Sequence, residues 1–304
     1  MWAGDTRLSL FFAFLLVALV SFGQGRSIAI TIDDLPRGGD GPRDLASVRA
    51  LTERLLDALK DLPVTGFVNA GRTQDFGDAE LQEILGFWKK QGAELGNHTF
   101  SHPDLNRVTL AEFEADLLRG ETAVRKARGG KQSRYFRHPF LHAGKDAATK
   151  RALDDFLVKH HYTVAPVTLD TSDWRFAYVY TRTQDKAALV QAYLRYMDSI
   201  CAFFEKRAVE VTGREIAQIL LIHANQLNAD AMPDLLRLFA KRGYRIVGLA
   251  EALRDPAYKL ADGYLGEDGI SWIHRWASAK GMQESREPGE PKWLLEEFAR
   301  MSGR

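Results

Sequence analysis

The chain has 304 residues, 45% of them hydrophobic and 27% charged, a globular balance that excludes wholesale disorder. Its formal net charge of +1 gives no global pull toward nucleic acid or acidic membrane surfaces. A single cysteine, Cys201, rules out thiolate metal sites and a disulfide scaffold, and its apolar helical setting points to core packing.

The first 25 residues read as a secretory signal. Arg7 supplies a charged start, Leu8 to Phe22 an apolar run, and Ser21, Gly23 and Gly25 the small residues of a cleavage region. The run is shorter than the roughly 20 residues a spanning helix needs. The expectation is an exported protein, periplasmic or secreted, with a mature start near Ser27 and no stable membrane span after processing. An uncleaved anchor helix is the alternative.

Beyond this segment, strand-like apolar runs alternate with amphipathic helical ones. Strands are expected at 27–32, 64–68, 93–95, 135–137, 162–167, 219–222 and 244–247. Helices are expected at 44–60, 78–91, 109–127, 145–160, 184–208, 233–242 and 249–253. Such alternation predicts a parallel α/β fold. Thr109-Leu110-Ala111-Glu112 reads as a capping box, and Gly92 and Gly243 sit where left-handed helix caps belong. After about residue 254 the alternation stops, and Trp272-Ile273-His274-Arg275-Trp276 stands out in a charged tail.

Two strings fit one job. Thr31-Ile32-Asp33-Asp34 places adjacent carboxylates right after an apolar strand, and His98-Thr99-Phe100-Ser101-His102 places two imidazoles four residues apart. Residues at that spacing share a face if the backbone is helical. One carboxylate and two histidines make a facial metal triad with positions open for water and substrate. The second carboxylate supplies the base that a metal-activated water needs. The first reading is therefore a metal-dependent hydrolase, with Asp34, His98 and His102 as ligands and Asp33 as base.

Other residues are weighed beside these. Each motif alone has a plain alternative, an aspartate turn or a capping histidine loop. His138 and His142 form a rival pair, although Pro139 disfavours helix at His138. Arg137 next to a carboxylate base would hold the ionised form. His223 ends the apolar run 219–222 and is either a satisfied core histidine or an acid with an ordinary pKa of about 6.5. Asp170-Thr171-Ser172-Asp173-Trp174 offers a carboxylate to orient that histidine and an indole wall for a small acyl group.

Taken together, these motifs resemble those of the NodB-type polysaccharide deacetylases, carbohydrate esterase family four. The family's T-F-D-D is similar to Thr31-Ile32-Asp33-Asp34, and its H-[ST]-x-x-H to His98 through His102. Its R-x-P-[YF] is similar to Arg137-His138-Pro139-Phe140, its D-x-x-D-W to Asp170 through Trp174, and its L-x-H to Leu221-Ile222-His223. The resemblance runs from about residue 26 to 253. It implies a distorted (β/α) barrel with fewer regular strands than eight. The implied catalytic domain is 26–253, with an insertion at about 175–215, followed by a C-terminal extension at 254–304.

The resemblance also implies roles. Asp33 is the general base, held by Arg137; Asp34, His98 and His102 are the metal ligands; His223 is the general acid, tuned by Asp173. Trp174 and Leu221 line the acetyl pocket, with Phe140 on the substrate side. One divalent ion is implied, zinc by default, although the donors also accept cobalt, nickel or iron. The implied reaction removes N-acetyl groups from an acetylated glycan or amino sugar of the cell envelope, releasing acetate. O-acetyl esters, a small amide of allantoinase-like type, and carbohydrate binding without turnover are alternatives. The intact Asp33–His223 set argues against the last, and a ferrous oxygenase would need neither residue.

Three departures from the family pattern stand out. Leu35-Pro36 follows the aspartates where glycine is usual, the stretch between Trp174 and Leu221 is long, and the tail has no counterpart in the minimal domain. These additions are expected to narrow or cover the groove, which speaks against a long polymer. Trp272, His274 and Trp276, with Tyr178 and Tyr180, either form an aromatic rim for sugar rings or pack the tail onto the barrel.

Overall fold

A computed structural model describes residues 25–39, 41–73 and 76–303. The expected signal segment lies outside them. The strands are β1 (Ser27–Leu35), β2 (Val64–Val68), β3 (Glu94–Asn97), β4 (Tyr135–Phe136), β5 (Thr163–Val164), β6 (Gln218–His223) and β7 (Arg245–Ile246). Helices α1 (Leu45–Ala58), α2 (Asp78–Lys90), α3 (Leu110–Ala127) and α4 (Ala147–Lys159) separate the first five strands. They are followed by α5 (Asp173–Tyr180), α6 (Lys186–Thr212), α7 (Gln226–Lys241), α8 (Leu249–Ala252), α9 (Trp272–Ala279) and α10 (Lys292–Ser302).

All strand pairs are parallel, in the order β5-β4-β3-β2-β1-β6, with β7 beside the first two residues of β1. Composition explains the order. Eight consecutive residues of β1, from Ile28 to Leu35, are buried, as expected of a strand covered on both faces in a parallel sheet. After β5 the chain crosses to the opposite edge, where Leu169 bridges Leu220 of β6. One segment thus touches both edges, and the sheet curls into a distorted barrel. Strand ends of one polarity collect at one rim, where active sites of such folds are built.

The helices bury one stripe each against this sheet. In α3, Phe113, Leu117 and Val124 are buried, and the Thr109–Glu112 capping box forms as the sequence predicts. Burying a side chain of that kind contributes about 1.5–3 kcal/mol. Helix α7 begins at Gln226 rather than at 233. The Asn225 side chain caps it by accepting from Asn228 N–H, and Pro233 lies inside the helix. Proline usually marks a helix start; here an earlier cap sets the boundary. The long α6 ends at Gly213, whose φ of 79° is the left-handed cap.

The extension packs onto the core. Trp272, Ile273, Trp276, Ala277 and Leu294 join the main hydrophobic cluster. Trp272 is 7% exposed, Trp276 1% and Tyr180 3%, and Tyr178 packs edge-on against Phe298. Trp272, Trp276 and Tyr178 pack the tail and Tyr180 is buried against Asp230 of α7, so these rings do not form a sugar-binding rim. The helical spacing of Trp272 and Trp276 turns both toward the core. Among the described residues no helix is long and apolar enough to cross a membrane.

Candidate active site

β1, β3 and β6 deliver the site at their C-terminal ends. Asp33 stands opposite His223 in the β1–β6 register. The next residue, Asp34, takes φ 66°, a left-handed conformation in which aspartate is tolerated. Thr31 ties the strands beneath them. Its hydroxyl donates to the Leu220 carbonyl at 2.5 Å and accepts from Arg137 Nη2 at 2.7 Å.

His98 follows β3 directly. The segment to His102 is not helical; Thr99 and His102 adopt φ of 67° and 60°. Local hydrogen bonds shape this turn: Thr99 N–H donates to Asn97 Oδ1 at 2.9 Å, and His102 N–H to Thr99 Oγ1 at 3.1 Å. The two imidazole rings come together with centroids 4.8 Å apart. Proximity that the sequence assigned to helical spacing is made by a left-handed turn.

Asp34, His98 and His102 present ligand atoms that all lie within 4.8 Å of one another. Asp34 Oδ1 is 3.8 Å from His98 Nε2 and 3.7 Å from His102 Nε2. The donors fit a cation. Asp34 Oδ1 is buried without a hydrogen-bond partner, and the Arg137 carbonyl takes His98 Nδ1 at 2.8 Å. That bond leaves Nε2 with the free lone pair. Burial holds both imidazoles neutral, the ligating form: His98 lies well below its ordinary pKa and His102 falls to about 4. Burial opposes ionisation of Asp34, but the positive charges of Arg72 and His223 outweigh it and hold the carboxyl well below the usual range. Nitrogen and carboxylate donors suit zinc, cobalt, nickel or iron.

The rival pair does not join this cluster. His138 is 1% exposed and stacks near the Trp272 ring at 6.3 Å. His142 bonds Asp104 at 2.7 Å through Nδ1.

Asp33 Oδ2 lies 3.7 Å from His98 Nε2 and 3.8 Å from Arg137 Nη1. Burial pushes the Asp33 carboxyl up to about 6, against the pull of Arg137 and His223. Arg137 therefore does not keep this pKa low. At 3.8 Å it attracts without a hydrogen bond, and desolvation is the larger effect.

His223 is held by Asp173, the first residue of α5. His223 Nδ1 bonds Asp173 Oδ1 at 2.7 Å, and its backbone N–H donates to Oδ2 at 2.8 Å. Burial opposes the imidazolium, but Asp173 raises the His223 pKa to about 10. The second Asp173 oxygen also accepts from Asn225 and Asn228, at 3.1 and 2.6 Å.

These groups open into a cavity of about 780 Å³. Leu221, 5% exposed, forms part of its wall, and Trp174 and Phe140, 40% and 51% exposed, also line it. The extension contributes Asp268, Gly269 and Glu287 to the lining. Sequence reasoning missed these three, and it missed Arg72, Asn225 and Asn228. Asn225 carried a usable signal, an asparagine followed by a helix-compatible run. Arg72 carried none; it reaches Asp34 Oδ2 at 3.0 Å from the turn after β2.

Residues 23–156 match the family model described as polysaccharide deacetylase. The chain is similar to a chitin deacetylase of Colletotrichum lindemuthianum, 24% identical over 230 residues that cover 75% of this chain and 79% of that one. It is also similar to the peptidoglycan-N-acetylmuramic acid deacetylase PdaC of Bacillus subtilis, 24% identical over 227 residues. That match covers 74% of this chain but only 38% of PdaC, so the chain spans about two fifths of that relative. Among solved structures, a CE4 family pseudoenzyme from Bacillus anthracis shares the fold, with a TM-score of 0.51 at 17% identity. The match covers 76% of this chain and 66% of the other.

Proposed function

We propose that the chain, whose residues 23–156 match the polysaccharide deacetylase model and which is similar to chitin and peptidoglycan deacetylases, is a NodB-type deacetylase of carbohydrate esterase family four, an exported, metal-dependent hydrolase that removes N-acetyl groups from a carbohydrate. The observation that carries this reading is the pairing of Asp33 with His223 beside the Asp34–His98–His102 cluster. Amide hydrolysis requires a base for the attacking water and an acid for the leaving nitrogen, and both side chains line one cavity.

Asp34, His98 and His102 would hold one divalent ion, zinc by default, which when bound polarises the acetyl carbonyl and acidifies the attacking water. Asp33 takes the proton from that water. A carboxyl raised to about 6 is a better base near neutrality than an ordinary aspartate, yet it remains largely ionised there. His223, kept protonated by Asp173, gives its Nε2 proton to the leaving nitrogen. The water oxygen adds to the carbonyl carbon, and the C–N bond then breaks as the carbonyl re-forms and the nitrogen takes the proton, releasing acetate and a free amine. Leu221 and Trp174 offer an apolar wall to the acetyl methyl. Asp268, Gly269 and Glu287 narrow the cavity from the extension, which favours a short acetylated oligosaccharide, or a small amide, over a long polymer.

Acetate release tests this. Zinc-loaded protein is assayed against a panel of N-acetyl and O-acetyl glycans, with chelator-treated protein as control. Metal-dependent release from N-acetyl glycans is expected. Release from O-acetyl esters alone, or from no glycan, would overturn the proposal.

A further inference from the structure

We infer that Arg275 and Gly269 of the C-terminal extension are positioning residues for the candidate active site: they hold the Phe140–Leu141 turn and, through it, the His102 ring. The inference rests on the reading of His102 as a metal ligand.

The turn needs holding. Phe140 and Leu141 adopt φ of 55° and 56° in succession. Left-handed backbone is uncommon and strained for side chains of this size, and persists only where the surroundings over-determine it. Its own hydrogen bonds, Leu141 N–H to the His138 carbonyl and His142 N–H to that of Pro139, are both 3.1 Å.

The extension supplies the rest. Arg275 is 1% exposed. Its Nη2 donates to the Leu141 carbonyl at 2.6 Å, Nε to Ile270 at 3.2 Å and Nη1 to Asp262 at 3.4 Å. The guanidinium lies 4.5 Å from the centre of the Trp272 ring and 5.1 Å from that of Tyr264. A buried guanidinium is costly unless it is fully matched, and here the bonds to Asp262 and Ile270 fix the remaining arm, Nη2, on the Leu141 carbonyl of the strained turn. Gly269 lies against the same turn from the cavity side. A Cβ there would collide with the Phe140 carbonyl oxygen. Asn106 adds a third tie, donating to the Glu267 carbonyl at 2.8 Å and meeting His142 Nδ1 at 3.0 Å.

The turn delivers a ring to the site. Phe140 meets His102 edge-on with centroids 4.4 Å apart. The two candidate imidazole ligands are anchored differently. His98 is fixed by the Arg137 carbonyl, whereas His102 Nδ1 makes no hydrogen bond to another described residue. Ligating imidazoles are normally oriented by a partner on the second nitrogen. For His102 that task falls to ring contacts with His98 and Phe140. A segment outside the motif-bearing stretch thereby sets the aim of a ligand inside it.

The test uses the full-length protein and three variants. Gly269→Ala displaces the turn, and Arg275→Lys keeps the charge beside Asp262 but loses the fork. Trp293→Ala, at an exposed position on α10 outside the cavity lining, is the control. Measurements are the thermal midpoint, zinc affinity by chelator competition, the absorption spectrum of the cobalt(II)-loaded protein, and kcat and KM on an N-acetylated chitooligosaccharide. The first two variants should fold, bind zinc about tenfold or more weakly, shift the cobalt spectrum, and lose more in kcat than in KM. The control should match wild type. Folded variants with wild-type zinc affinity and cobalt spectrum would overturn the inference. Failure of both to fold would overturn it too, by making the extension a folding element alone. If wild type binds no zinc, or His102→Ala binds it fully, the metal reading itself fails instead.

Discussion

Asp33 and His223 are register partners on adjacent parallel strands, so their side chains project to the same face at the same level. Neighbouring residues of a strand point to opposite faces, and a regular β1 would therefore send Asp34 away from Asp33. The φ of 66° at Asp34 breaks that alternation. Two consecutive carboxylates then serve one cavity: Asp33 lies beside His223 in register and within 3.7 Å of His98, and Asp34 lies within 3.8 Å of both His98 and His102. Strand register pairs Asp33 with His223, the proposed base and acid, and a single left-handed residue brings in Asp34, the proposed metal ligand.

Asp33→Asn tests the division of labour between the carboxylates. The variant should keep its metal, because Asp34, His98 and His102 form the donor cluster without Asp33. Turnover should fall by about 10²–10⁴-fold, the usual contribution of a positioned base. Parallel metal analysis and single-turnover assays measure both. Loss of metal in this variant would make Asp33 a ligand.

The histidine pairs give a second prediction. His98→Ala or His102→Ala should lose bound metal and activity together. His138→Ala and His142→Ala should keep the metal, since one stacks near Trp272 and the other bonds Asp104. His138→Ala should lower the melting temperature, because it empties volume at a site 1% exposed. Metal content of the four purified proteins decides the assignment, and full occupancy in His102→Ala would remove it.

Activity should follow a bell in pH. Asp33 must be ionised to accept a proton, so activity rises through its pKa, about 6 before any cation is added. His223 must be protonated to donate one, so activity falls through its pKa, about 10 on the same basis. A cation beside them favours the ionised carboxylate and the neutral imidazole, and it moves both limbs to lower pH. Asp173→Asn removes the main cause of the high His223 value and should bring the basic limb down by more than about one unit, toward the ordinary value of about 6.5. A basic limb unmoved in Asp173→Asn would assign it to another group.

The sequence made the site legible because its residues cluster in short strings at strand ends. The alternation of apolar runs and amphipathic helices gave the barrel, and β1 and β2 are expected almost where they lie. What stayed hidden depends on backbone or tertiary context. The His98–His102 turn uses left-handed residues that no spacing rule predicts. Arg72 reaches Asp34 from a different strand end. The proline at 233 reads as a helix start, whereas α7 begins at Gln226, where the Asn225 side chain caps it. In the tail, Trp272 and Trp276 looked equally suited to a rim and to a core; only the packing of α9 on the barrel distinguishes them.

The last prediction separates an acid from a wall. His223 lines the cavity and is bonded through Nδ1 to Asp173, so its free Nε2 carries whatever proton it gives away. An amine is expelled poorly unless it is protonated as the C–N bond breaks. An activated phenolate leaves readily without that help. His223→Ala should therefore lose about 10²-fold or more on N-acetyl substrates, the lower end of what a general acid contributes, and far less on an acetylated aryl ester. O-acetyl sugars should fall between them, because an alkoxide needs more assistance than a phenolate. The three substrate classes are compared by kcat/KM with metal content held equal. Equal losses on all three would mean that His223 shapes the pocket and supports Asp173 without donating a proton.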